Sequence, residues 1–141
     1  MAVTSESTTV WNGDLKSGSG TVSLDSSKAA QLPVTWAARS QGSSDVTTPE
    51  ELLGAAHSAC FSMAFSNILA GFGTTAESIR VTAAVGFDPA QGVTGSHLTV
   101  EATVPGISEE DFQRLADEAK ATCPVSRALV GIPITLDASL V

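Results

Sequence analysis

The 141-residue sequence is 43% hydrophobic and 16% charged, with a formal net charge of −8 from seven Lys plus Arg against fifteen Asp plus Glu. Such a composition excludes a disordered tail, and the length fits one domain, residues 1–141, that can bury about two-thirds of its unfolded surface without a disulfide staple. The acidic balance repels phosphate backbones, so nucleic acid is not an expected partner.

The first twenty residues, MAVTSESTTVWNGDLKSGSG, lack a basic start followed by an apolar run and do not read as a signal peptide. The expected compartment is therefore the reducing cytoplasm, where permanent disulfides are rare. STTVWNG and GTVSLDS are short β-type runs on either side of a Gly/Asp/Lys/Ser turn, the pattern of a hairpin. LPVTWAAR, 32–39, reads as a third strand, and QGSSDVT, 41–47, as a polar loop. Thr47 or Thr48, then Pro49, Glu50 and Glu51, make a helix start: a capping hydroxyl, proline in the first turn, and acids at the positive helix end.

That helix is expected to reach about Ala70, where GFG stops it. Leu53, Ala56, Cys60 and Ala64 share one face, and Phe61, Phe65 and Ile68 another. Ser58, Ser62 and Ser66 form a third stripe. Apolar or small nearly all round, the helix should be buried on most sides, and one domain of this size struggles to surround it. A second copy of the chain is the economical cover. His57 and Asn67, with the serines, interrupt the stretch and argue against a membrane span.

SIRVTAAVGFD and SHLTVEATV resemble two strands around the turn PAQGVTG. SEEDFQRLADEAKATC is an amphipathic helix with a serine cap and an acidic first turn. Pro124 opens a short helix, PVSRALVG, and PITLDASL closes as a strand. The order βββ-α-ββ-α-(α)-β is an α+β layout.

Cys60 and Cys123 are the only sulfhydryls. A lone cysteine on an apolar helix face commonly packs as a small hydrophobe. His57 lies one turn before Cys60, and a Cys/His nucleophile pair is conceivable. No C-x-x-C occurs, and His57 and His97 add only two nitrogens, so no metal pattern is present and no cofactor is expected. A reactive buried thiol needs a cation nearby. Arg39, Arg80, Arg114 and Arg127 are the arginines, and composition does not choose among them. Besides redox chemistry at a thiol pair, two rivals stay open: a binding or stress protein with inert thiols, and a redox sensor that uses a disulfide of the pair as a switch.

TPEELLGAAHSACFSMAFS followed by ATCPVSRAL resembles the OsmC/Ohr family of organic hydroperoxide reductases. The likeness extends through WNGDLKSGSGTVS, VPGISEEDFQ and ITLD, over nearly the whole chain. The resemblance implies antiparallel sheets wrapped around long central helices in an intertwined homodimer. It implies a peroxidatic Cys60, a resolving Cys123, and reduction of their disulfide by a dithiol such as a lipoyl carrier protein. It further implies an arginine that stabilises the thiolate and a glutamate that holds it. Glu50 matches the glutamate. In the Ohr branch the arginine lies where this chain reads GDLKSG and offers only Lys16, whereas the OsmC branch places it before the long helix and nominates Arg39.

Glu50 and Cys60 are ten residues apart, about 15 Å along a helix at 1.5 Å per residue. An arginine serving both is therefore expected to reach one of them on a second subunit. Phe61, Met63, Phe65 and Trp36 are candidates both for the core and for a pocket that takes a hydrocarbon tail.

Overall fold

The computed structural model describes residues 1–141. Ten elements run in the order β1 (Thr8–Asn12), β2 (Ser19–Ser23), β3 (Gln31–Val34), α1 (Trp36–Gln41), α2 (Pro49–Phe72), β4 (Ser78–Asp88), β5 (Gly92–Thr103), α3 (Glu109–Thr122), α4 (Pro124–Ala128) and β6 (Ile134–Leu140). Two units divide the chain, Met1–Leu52 and Leu53–Val141.

In the first unit β1, β2 and β3 form an antiparallel sheet in that order, with the expected hairpin at its start. Asp14 builds the turn: its carboxylate accepts from the backbone N–H groups of Lys16 and Ser17 and from the Ser17 hydroxyl, bonds that hold it below the usual carboxylate pKa. Pro33 is tolerated because β3 is an edge strand.

The third strand is shorter than its sequence pattern implies. Strand pairing stops at Val34, and 36–41 is helix rather than strand. Thr35, a residue of strand type, acts instead as the cap of α1, its hydroxyl accepting from Ala38 N–H at 3.1 Å. Gly42, at φ 83°, ends that helix. Arg39 therefore stands in the last turn of a helix, not at a strand end. Of the two candidate caps for α2, Thr48 is the one used: its hydroxyl accepts from Glu51 N–H at 3.0 Å, while the Thr47 hydroxyl bonds to the Glu51 carboxylate.

The second unit is built on a mixed sheet, β4-β5-β6. β4 and β5 pair antiparallel, joined by a turn much tighter than the sequence pattern implies, with a bulge at Gly86/Phe87. β6 pairs parallel to β5, against the expectation of antiparallel sheets throughout. Parallel neighbours need a crossover, and α3 and α4 supply it. Alternation along the strands puts Leu98, Val100 and Ala102 of β5 on the face that carries the core, with Arg80, Thr99, Glu101 and Asp137 on the other.

α2 and α3 cover that core face. α3 starts at Ser108, whose hydroxyl accepts from Asp111 N–H at 3.1 Å, and buries Phe112, Leu115, Ala116 and Ala119. α2 runs two residues past Ala70, to Phe72, and ends with Gly73 at φ 96°. By length and hydropathy it could cross a membrane, but its stripe of His57, Phe61, Phe65 and Leu69 is fully buried in this core. Gly54 allows the close approach, since a Cβ there would lie 2.8 Å from the Ala83 carbonyl oxygen. Phe61 and Phe65 pack with tilted rings, centroids 5.9 Å apart, and Phe65 meets Phe112 edge-on at 5.5 Å. The opposite side of α2 leaves Ala55, Ala56, Ala59 and Met63 exposed.

Phe65→Ala removes the ring that joins α2 to α3 and is expected to lower stability by about 3–5 kcal/mol. Urea unfolding of the variant beside the parent protein checks this.

Candidate active site

Cys60 lies on α2, one residue before the buried stripe reaches Phe61, and is half-buried. Cys123 is the corner between α3 and α4 and is fully buried. Its backbone N–H closes α3 on the Ala119 carbonyl at 2.8 Å, while its side chain turns toward the start of α4. Both cysteines are free thiols, within side-chain hydrogen-bonding reach of one another. Residues 63 positions apart in sequence are thus brought together by the fold.

Their surroundings are unequal. Burial pushes the Cys60 thiol up; the Val125 N–H opposes it, and the neighbouring Cys123 adds a smaller upward push. Burial also acts on Cys123, but the N–H groups of Ser126 and Val125, the Cys60 thiol and the Ser126 hydroxyl outweigh it and bring Cys123 down. Within Leu53–Val141 the surroundings thus ease ionisation of the hidden sulfur and oppose that of the half-buried one.

His57 does not pair with Cys60. Its Nδ1 is 2.7 Å from the Ser96 hydroxyl of β5, and its Nε2 is 2.8 Å from the Ser126 hydroxyl of α4. All three side chains are buried, and both ring nitrogens are committed to serines. Burial depresses the His57 pKa, so the ring is neutral. The chain Ser96–His57–Ser126–Cys123 has a sequence signal: a histidine in an apolar helix needs two buried partners, and CPVS holds a serine one turn after the cysteine.

In the first unit, Arg39 and Glu50 form an ion pair. Arg39 Nη2 is 2.8 Å from Glu50 Oε1, and its Nε is 3.1 and 3.3 Å from the two carboxylate oxygens. The Glu50 side chain is 6% exposed against 32% for Arg39, so a hidden carboxylate fixes a partly open guanidinium. A cavity of about 220 Å³ adjoins it, with Trp11, Leu15, Val22, Val34 and Trp36 in its lining beside Arg39. Trp36 is thus the one of the four tail-pocket candidates that lines this cavity; Phe61 and Phe65 are core, and Met63 is exposed. Elsewhere, Arg80 faces Glu101 at 4.0 Å on the open side of the sheet, and Arg114 pairs with Asp111 at 2.8 Å. No three His, Cys, Asp or Glu side chains converge as a metal cluster.

A three-stranded antiparallel sheet at the start of the chain, a long core helix and a thiol pair between that helix and a crossover define an α+β class of small dithiol proteins. The model of the OsmC-like protein family matches residues 42–137, and the chain belongs to that family. It is 45% identical over 133 residues, 92% of each chain, to a protein named peroxiredoxin OsmC from Escherichia coli strain K12. It is 32% identical over 94 residues, 65% of this chain and 66% of the other, to an organic hydroperoxide resistance protein of Xanthomonas axonopodis pv. citri. Among solved structures, an organic hydroperoxide resistance protein from Elizabethkingia anophelis superposes with a TM-score of 0.74 at 27% identity, covering 100% of this chain and 99% of that one.

Because His57 is neutral and hidden, its folded pKa lies below the ordinary 6.5, and the unfolded chain binds the extra proton between the two values. Its contribution to stability is therefore whole above pH 6.5 and is lost as pH falls through the interval down to the folded pKa. Urea unfolding between pH 5 and 8 should show this loss, and His57→Gln should flatten that part of the profile.

Proposed function

We propose that this chain is a thiol-dependent peroxidase that reduces organic hydroperoxides, and hydrogen peroxide more weakly, in the response to oxidative or osmotic stress. The observation that carries the reading is the meeting of an accessible Cys60 with a buried Cys123. The names of the peroxiredoxin and hydroperoxide-resistance relatives support it.

The steps balance as follows. The Cys60 thiolate attacks the outer peroxide oxygen, the O–O bond breaks, and the alkoxide leaves and takes up a proton to become the alcohol. Cys60 is now a sulfenic acid. Cys123 attacks the Cys60 sulfur, an S–S bond forms, the S–O bond breaks, and hydroxide leaves as water with the Cys123 proton. A dithiol then reduces the disulfide and is itself oxidised to a disulfide; a lipoyl carrier protein in the cytoplasm is the proposed donor. Accessibility decides the order of the thiols, since peroxide must reach the first sulfur while the second is best kept from it.

Arg39, fixed by Glu50, is the proposed cation that makes the Cys60 thiolate attainable. Glu50 lies ten residues before Cys60 on α2, about 15 Å along the helix, so the arginine it holds is assigned to the Cys60 of a second chain. The exposed small and apolar side of α2, with Ala55, Ala56, Ala59 and Met63, supports such a homodimer of single OsmC-like domains. The apolar cavity beside Arg39 favours a hydrocarbon tail on the peroxide.

Turnover with excess dithiothreitol tests the reading, with cumene hydroperoxide set against hydrogen peroxide. The organic substrate is expected to be consumed faster, Cys60→Ser to abolish turnover, and Cys123→Ser to react once and stall. Arg39→Ala is expected to raise the Cys60 pKa and slow peroxide consumption roughly ten- to hundredfold, the effect of a lost charge-assisted bond. Full turnover in Cys60→Ser would refute the assignment.

A further inference from the structure

His57 is the polar exception in the buried stripe of α2, between Gly54 and Phe61. An imidazole without partners is costly to bury, and an apolar side chain would fill such a place at no such cost. What the ring achieves is to tie three elements to one atom. Ser96 of β5 holds Nδ1, Nε2 holds Ser126 of α4, and Ser126 follows Cys123 by three residues at the start of α4, its hydroxyl among the groups that bring the Cys123 thiol down.

We propose that His57 is a positioning residue for disulfide closure, orienting the Ser126 hydroxyl so that it steers and stabilises the Cys123 sulfur in its attack on the Cys60 sulfenic acid. The inference rests on the peroxidase reading above and adds to it a residue pair that acts only in the second chemical step.

A neutral imidazole has one donor and one acceptor, and each serine hydroxyl can be either. The chain therefore has two polarities. With Cys123 as a thiol, its S–H points to Ser126, the Ser126 O–H to Nε2, and the Nδ1 hydrogen to Ser96. With Cys123 as a thiolate, Ser96 donates to Nδ1, the Nε2 hydrogen points to Ser126, and Ser126 donates to the sulfur. Only the second polarity stabilises the nucleophile. Neither places a positive charge in the core, as a histidinium would. The titratable groups against Cys123 are Cys60 and, through Ser126, His57, both from α2; α4 adds the N–H groups of Val125 and Ser126. Atoms balance as written above, since the proton given up by Cys123 leaves in the water and His57 ends the step neutral.

A single-turnover experiment separates the steps. Reduced protein is mixed with one equivalent of cumene hydroperoxide and quenched over time. Dimedone traps the sulfenic acid, and mass spectrometry counts it and the Cys60–Cys123 disulfide. In Ser126→Ala and His57→Leu, sulfenic acid should form at the rate of the parent protein while disulfide closure slows roughly ten- to hundredfold, the effect of one lost hydrogen bond to a charged group. Ser126→Thr, which keeps the hydroxyl, should restore closure. Equal slowing of both steps in Ser126→Ala, or failure of Ser126→Thr to rescue it, would overturn the proposal. Should His57→Leu fail to fold, His57→Gln takes its place, and closure at the parent rate in a folded His57 variant would overturn the proposal. Absence of any sulfenic acid in the parent protein would instead overturn the peroxidase reading on which the proposal stands.

Discussion

The parallel pairing of β6 with β5 is the constraint on which the site depends. Parallel neighbours cannot be joined by a tight turn, so the chain must leave the end of β5 and cross the sheet before it can return. α3 and α4 make that crossing on the face where α2 already lies, and Cys123 is the corner between them. Cys60 waits on α2. The thiols meet because the sheet requires a crossover and the crossover has a corner there, not because either cysteine is a structural staple.

The two sulfurs sit in unequal environments. Cys123 is fully buried, yet the N–H groups at the start of α4, the Cys60 thiol and the Ser126 hydroxyl bring its thiol down against that burial. Cys60 is the more accessible, and burial and its partner both oppose its ionisation. On the proposed mechanism the more accessible thiol serves the first step and the hidden one the second, and the guanidinium that Glu50 fixes is the proposed cation for the first.

Much of this was legible in the sequence. The hairpin, the Thr48 start of α2 and the Ser108 start of α3 follow from local chemistry that tertiary structure has no reason to override. The thiol pair was legible through resemblance rather than spacing. Residues 35–39 were misread because Thr35 and Trp36 favour strands, whereas the threonine hydroxyl is used as a helix cap. The parallel strand was missed because pairing direction leaves no mark within a strand as short as β6. His57 was visible as a polar residue on an apolar helix, but its partners lie on β5 and α4 and are joined to it only by the fold. Phe61 and Phe65 had two readings, and packing against α3 decides for the core.

The most direct measurement is peptide mapping of fully reduced protein after one equivalent of cumene hydroperoxide, under denaturing conditions with free thiols blocked. The account requires a Cys60–Cys123 disulfide within one chain, with two thiols lost for each peroxide consumed. Two unmodified thiols, or a disulfide joining Cys60 of one chain to Cys60 of another, would contradict it.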